Sequence, residues 1–257
     1  MRRLSLRGAT RVWERNLWVY SKRWVYNILP NFFEPVFYLL GMGVGLGAYV
    51  AAGGQFEGGY TAFVAPGLVA ASAMNGGIFE TTYNIFVKLH FSKIYDAMVA
   101  TPLSFEDVAA GEILWAVTRA TLYGTAFLAI TLFFGVPLTP RLLLALAALP
   151  LIGFCFAAIG TAFTSLIDSI DLYTYFWTLF VTPSFVFSGI FFPIEERFPP
   201  ALITVAELTP LYNAVHMMRG IVRGEWDGVG LNALYLAVVG LALSFFAVRR
   251  LGRRFLA

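Results

Sequence analysis

The sequence predicts an all-α membrane protein: six transmembrane helices, an N-terminal amphipathic interface helix, and a re-entrant helical hairpin between spans 5 and 6. Three observations carry that expectation. Hydrophobic residues make up 59% of the chain and charged ones only 13%, about half the ~25% that keeps a soluble domain wetted. Six apolar runs have the length of about 20 residues that crosses a hydrocarbon core about 30 Å thick. Most of the 18 lysines and arginines gather at the two ends and in one loop. Cys155 is the single cysteine and lies in an apolar run, which excludes a disulfide framework and a cysteine metal site.

The first element falls within 1–28. A helix there sets Arg7, Arg11, Arg15 and Lys22 on one face and Leu6, Trp13, Leu17, Tyr20 and Trp24 on the other. Such a helix suits a membrane surface, with rings in the headgroup layer and arginines toward anionic lipid. A soluble amphipathic helix packed on another domain has the same pattern. No apolar segment follows the early arginines, so the N-terminus does not read as a secretory signal.

Spans 1 to 5 occupy 31–193, at 31–52, 60–86, 112–135, 141–166 and 172–193. Span 6 covers 229–248 and a tail runs over 249–257, so 1–257 reads as one transmembrane domain. An even number of spans puts both termini on one side. The basic residues of the N-terminal segment, Lys88 and Lys93, and the arginines of the tail make that side cytoplasmic. The chain is then a multi-pass protein of the cell inner or plasma membrane.

The cytoplasmic loop 87–112 is itself patterned. Ile94, Tyr95, Met98 and Val99 make an apolar strip on a short helix that Thr101-Pro102 stops. Ser104, with Glu106 and Asp107 after it, reads as the N-cap and acidic first turn of the next helix. A helix of that kind at the membrane face is a docking surface. On the other side, "FSGIFFPIEERFPPAL" (187–202) breaks an apolar run with prolines and charges. The segment 194–228 is too apolar for a solvated loop and too broken to cross. Two short helices near 198–208 and 210–223, dipping into the outer leaflet and returning, keep its backbone satisfied. Pro199, Pro200 and Pro210 suit their first turns and Gly224 the end of the second.

No phosphate-binding G-x-x-x-x-G-K-[ST] loop occurs, so the chain has no nucleotide-binding core of its own. "GMGVGLG" (41–47) holds two overlapping G-x-x-x-G pairs, which serve close helix packing or a flexible gate. His90 and His216 fall on opposite sides of the membrane, and no nucleophile, acid–base or metal constellation remains to assign. Four ionisable residues lie within spans: Glu34, Glu80, Glu112 and Arg119. Charge inside a membrane marks function or pairing. A Glu–Arg cluster tying helices together and a direct substrate contact both fit, and each pairs a carboxylate with Arg119. The rings of span 5, Tyr173, Tyr175, Phe176, Trp177 and Phe180, fit a pathway lining or an interfacial belt.

Three stretches then carry a resemblance: "FVAPGLVAASAMNGGIFETTYNIF" (63–86), "YDAMVATPLSFEDVAAGEILWA" (95–116), and "FSGIFFPIEERFPP" with "LTPLYNAVHMMRGIVRG" (187–224). On these the chain resembles the membrane subunits of ABC-2 type ABC exporters, within the nodulation protein J group and the related drug-resistance permeases. The resemblance implies a transport subunit rather than an enzyme. Two permeases, a homodimer or a pair with a second permease, would work with two copies of a separate ABC ATP-binding subunit. That partner, not this chain, would use ATP and Mg; membrane lipids are further partners, and nucleic acid is not. Lys88, Lys93, Tyr95, Asp96, Met98, Thr101 and Pro102 would couple to the ATPase. Spans 1, 2 and 5, with Asn75 and the span 5 rings, would line the route. Gly189, Pro193, Glu195, Glu196, Pro210 and Arg219 belong to the hairpin that would shape the exit. The implied cargo is amphipathic: a lipo-oligosaccharide, a glycolipid or a hydrophobic drug. A passive channel or membrane scaffold, which needs no ATPase, is the alternative.

Overall fold

The computed structural model describes residues 5–22, 33, 35–47, 49 and 59–254, with backbone alone at 252–254. These residues are helical with short connections. In chain order come α1 (Leu6–Ser21), α2 (Pro35–Leu46), α3 (Tyr60–Phe91), α4 (Ile94–Val99), α5 (Phe105–Phe133) and α6 (Arg141–Thr164). Then follow α7 over 172–186, a 3-10 turn at Ile194–Glu196, α8 (Pro200–Glu207), α9 (Pro210–Arg223) and α10 (Val229–Arg254). Four of these, α3, α5, α6 and α10, are long and apolar enough to cross a membrane.

The centre is α3, which packs against α5, α6 and α9. Val64, Leu68, Val69, Met74 and Ile78 are completely enclosed, and α10 covers α6 from outside. Small residues allow that density, since lipid offers no hydrophobic drive between helices and close backbone packing must supply the attraction. A methyl group on Gly153 of α6 would lie 2.5 Å from Ala120 Cβ of α5. In α2, Leu39–Leu46 winds as a π-helix. Of the two four-residue glycine pairs, Gly43 and Gly47 lie against Thr61 and Tyr60 of α3, while Gly41 faces open space.

Three expected boundaries move. The loop 87–112 is mostly helix, because α3 runs on to Phe91 and α5 begins at Phe105. There the Ser104 hydroxyl accepts from Asp107 N at 3.1 Å and the Asp107 carboxylate accepts from Ser104 N at 3.0 Å, a reciprocal cap. The run 172–193 is helical only to Val186. At about 1.5 Å per residue that helix rises about 22 Å, short of the ~30 Å core. It stops because the chain turns at Gly189 (φ 76°), whose carbonyl accepts from Arg219 Nη2 at 2.9 Å.

Finally, α1 ends at Ser21 and has a third face that its charge pattern does not announce. Gly8, Ala9, Val12 and Asn16 form a buried strip between the basic and the apolar faces, packed on α5. Gly111 of α5 admits it: a Cβ there would lie 2.6 Å from Val12 Cβ and 2.7 Å from the Ala9 carbonyl. Trp13 Nε1 donates to Thr118 Oγ1 at 2.9 Å, and Ser5 N to Asp107 Oδ1 at 2.6 Å. Gly111→Val should therefore lift α1, at the roughly 1–3 kcal/mol of overpacking. Limited trypsinolysis checks it: cleavage at Arg7, Arg11 and Arg15 accelerates while α3 to α10 stay intact.

Candidate functional site

The site grows from the lower end of α3, where Glu80–Asn84 and Val87–Phe91 wind as π-helix. Such turns often occur at functional positions. Glu80 and Glu112 are buried, 4% and 1% exposed, and a buried carboxylate persists only when paired. Lys88 Nζ sits 2.8 Å from Glu112 Oε2 and 3.6 Å from Glu80 Oε1. Arg119 Nε lies 3.7 Å from Glu80 Oε2, and Asn84 Nδ2 donates to that oxygen at 3.0 Å. Arg119 also donates through Nη2 to the Tyr123 hydroxyl at 3.1 Å and stacks 4.6 Å over the Tyr20 ring. Three helices, α1, α3 and α5, thus meet at one charged knot. Glu34 lies outside the described residues.

Among the expected coupling residues Lys88 turns inward, because two buried carboxylates need it. Tyr95 is 3% exposed, held among Val12, Ile85 and Val108. Burial, reinforced by Glu112, pushes its hydroxyl well above the usual tyrosine range. Met98 packs partly against the same cluster. The face of α4 and its flanks that remains exposed carries Lys93, Asp96, Thr101 and Pro102. Lys93 starts it in the left-handed region at φ 48°.

The rings of α7 separate into two groups. Tyr173 is fully buried; its hydroxyl lies 2.8 Å from Thr164 Oγ1 and donates to the Thr82 carbonyl at 3.1 Å. Phe176 stacks on Phe163 at 4.5 Å and on Phe180 at 5.2 Å. These two rings join α7 to α3 and α6, so Tyr173 has no face free for a pathway. Tyr175 is exposed, Trp177 is half-buried 5.0 Å from Phe79, and Asn75 of α3 is half-buried.

At the opposite end α8 and α9 form the helical pair. Thr209 Oγ1 accepts from Tyr212 N, Pro210 opens α9, and Gly224 closes it at φ 82°. Glu195 Oε1 accepts from the Tyr212 hydroxyl at 2.8 Å and lies 3.2 Å from His216 Nε2. The nearby His216 imidazole, ahead of the Tyr212 hydrogen bond, holds this carboxyl down at about 2 against an ordinary 4.5. Pro193 and Glu196 flank it at the surface, and Arg219 lies 4.1 Å from the Phe63 ring. A depressed folded pKa stabilises the fold above pH 4.5, and that stabilisation drains as pH falls toward 2. The thermal midpoint should drop between pH 4.5 and 2.5 in the native chain and more shallowly in Glu195→Gln, as differential scanning fluorimetry in detergent would record.

Sequence reasoning missed Asn84, Tyr20 and Tyr123 around the charges, and His216 beside Glu195. Asn84, one turn beyond Glu80, was the detectable one. Among the described residues no group of three or more His, Cys, Asp or Glu could hold a metal.

The sequence model of the ABC-2 type transporter family matches residues 9–222. Nodulation protein J of Rhizobium leguminosarum bv. viciae is 34% identical over 248 residues, covering 94% of each chain. Nodulation protein J of Sinorhizobium fredii is also 34% identical, over 96% of this chain and 93% of that one. The inner membrane transport permease YadH of Escherichia coli is 24% identical over 92% of this chain and 89% of its own. With that coverage, and with apolar helices wrapped around a charged knot, this chain belongs to the ABC-2 type transporter family and is a membrane transport permease subunit.

Proposed function

We propose that the chain is the membrane-spanning subunit of an ATP-driven exporter. In this reading α2, α3, α5, α6, α7 together with the apolar turn 187–193 that follows it, and α10 make six crossings. Both termini are cytoplasmic in the inner membrane, α1 rides on the cytoplasmic surface, and α8 and α9 re-enter the outer leaflet. Two such permeases, two identical copies in the simplest case, are driven by two copies of a separate ABC subunit that consumes ATP and Mg. The cargo is amphipathic: a lipo-oligosaccharide, a glycolipid or a hydrophobic drug. The likeness to nodulation protein J supports the first two, and the exposed ring of Tyr175 with the half-buried Trp177 offers it a wall.

One observation carries the coupling. The exposed face of Lys93, Asp96, Thr101 and Pro102 is mounted on Tyr95, which is wedged among Val12 of α1, Ile85 of α3 and Val108 of α5. A push on α4 therefore reaches three helices, and through Glu112 the charged knot. Cys155, the single natural cysteine, is buried, which makes cysteine chemistry clean. Asp96→Cys in the complex with its co-expressed ATP-binding subunit should crosslink to that subunit, whereas the native chain should not. Hydrolysis by the reconstituted complex, challenged with lipo-oligosaccharide and with hydrophobic drugs, then names the cargo by which one stimulates it. Export that persists without the ATP-binding subunit, or labelling of Asp96→Cys from the outer medium, sinks the reading.

A further inference from the structure

A cavity of about 250 Å³ opens between α1 and the charged knot, lined by Arg15, Asn16, Tyr20, Glu80, Lys88 and Arg119 among others. Three buried polar atoms of the residues that line it have no hydrogen-bond partner: Asn16 Nδ2, Tyr20 Oη and Arg119 Nε. Each can donate. Asn16 is only 4% exposed, and its Oδ1 already accepts from Arg15 Nη1 at 2.9 Å, so the amide N–H₂ is what it offers the cavity. Arg119 spends Nη2 on Tyr123, and its Nε stands 3.7 Å from Glu80, beyond hydrogen-bond length. Three cations but one carboxylate line the space; Glu112 lies outside the lining and holds Lys88 from behind.

Buried donors are almost always matched, and three unmatched donors on residues around one electropositive space call for a multi-oxygen acceptor. We propose that this cavity binds a phosphate group, and that a phospholipid headgroup supplies it. Phosphate oxygens take charge-assisted bonds from arginine and neutral bonds from amide and hydroxyl together. The lipid source follows from the rim and rests on the proposed function: Val19 lines the cavity and is 46% exposed, and α1 riding on the cytoplasmic membrane surface would set that opening at headgroup level. A headgroup there would fasten α1 to the knot from its open side.

Tyr20→Phe isolates the idea, because it keeps the ring, its edge contact with Trp115 at 5.4 Å and its stacking under Arg119. The full-length chain, delipidated in detergent, is titrated with dioleoylphosphatidylglycerol, with dioleoylglycerol and with inorganic phosphate, and followed by native mass spectrometry and thermal midpoint. The native chain should retain one phosphatidylglycerol tightly and gain thermal stability from it. Tyr20→Phe and Asn16→Leu should each bind at least tenfold more weakly, and dioleoylglycerol should do nothing. Stabilisation by inorganic phosphate alone, lost in Tyr20→Phe, keeps the phosphate site but makes its ligand soluble. Equal phosphatidylglycerol affinity in native chain and Tyr20→Phe, or equal binding of dioleoylglycerol, overturns the proposal. None of these readouts involves ATP or export. If Asn16→Leu does not fold, Tyr20→Phe decides alone.

Discussion

Lys88→Met lowers the stability of the detergent-solubilised chain by about 3–5 kcal/mol, the loss that follows when one partner is removed from a buried charge group. The expectation rests on how little water reaches the group: the Glu80 and Glu112 side chains are 6% and 2% exposed, and Lys88 itself 16%. Without the ammonium, Glu112 loses its 2.8 Å partner outright and Glu80 keeps only the more distant Arg119 and Asn84. The triple change Lys88→Met, Glu80→Gln, Glu112→Gln should recover much of the loss, because neutral amides are cheaper to enclose. Unfolding followed by tryptophan fluorescence in mild detergent measures both. A single variant as stable as the native chain would mean that Lys88 is a surface residue after all.

Tyr173→Ala is the second large effect, about 3–5 kcal/mol for truncating a fully buried aromatic ring. Phe86 and Tyr83 lie against that ring at 5.7 and 4.9 Å, and its hydroxyl joins Thr164 to the Thr82 carbonyl. Tyr173→Phe should lose about 1–3 kcal/mol, the cost of the orphaned polar partners. Tyr175→Ala, two residues away and exposed, should change stability by no more than about 0.5 kcal/mol. The same fluorescence assay ranks the three. Equal effects at 173 and 175 would contradict the division of α7 into an inner and an outer face.

Much of the scaffold was legible because lipid leaves a strong mark on composition. The apolar runs located α3, α5, α6 and α10, Ser104 located the start of α5, and Pro210 with Gly224 located both ends of α9. Other features were hidden for particular reasons. The α1 strip of Gly8, Ala9, Val12 and Asn16 is built from small and polar residues whose hydropathy is unremarkable, and only Gly111, far away in sequence, gives them meaning. The stop after Val186 is hidden in a run that stays apolar through Phe192, since a turn at Gly189 changes direction without changing polarity. Lys88 was counted by its charge, which fixes a side of the membrane but not whether the side chain faces lipid, water or another helix. The partners that decide it, Glu80 and Glu112, sit on different helices.

The wide winding over Glu80–Asn84 sets the rotational phase of everything below it in α3. An α-helix advances about 100° per residue and the wide turn less, so ordinary winding of the same five residues would swing Lys88 and Ile85 roughly a quarter-turn around the axis. Both would leave their sockets at once. The narrower winding restores their phase only if one residue is removed with the bulge, so in this stretch a single codon acts as a gear tooth.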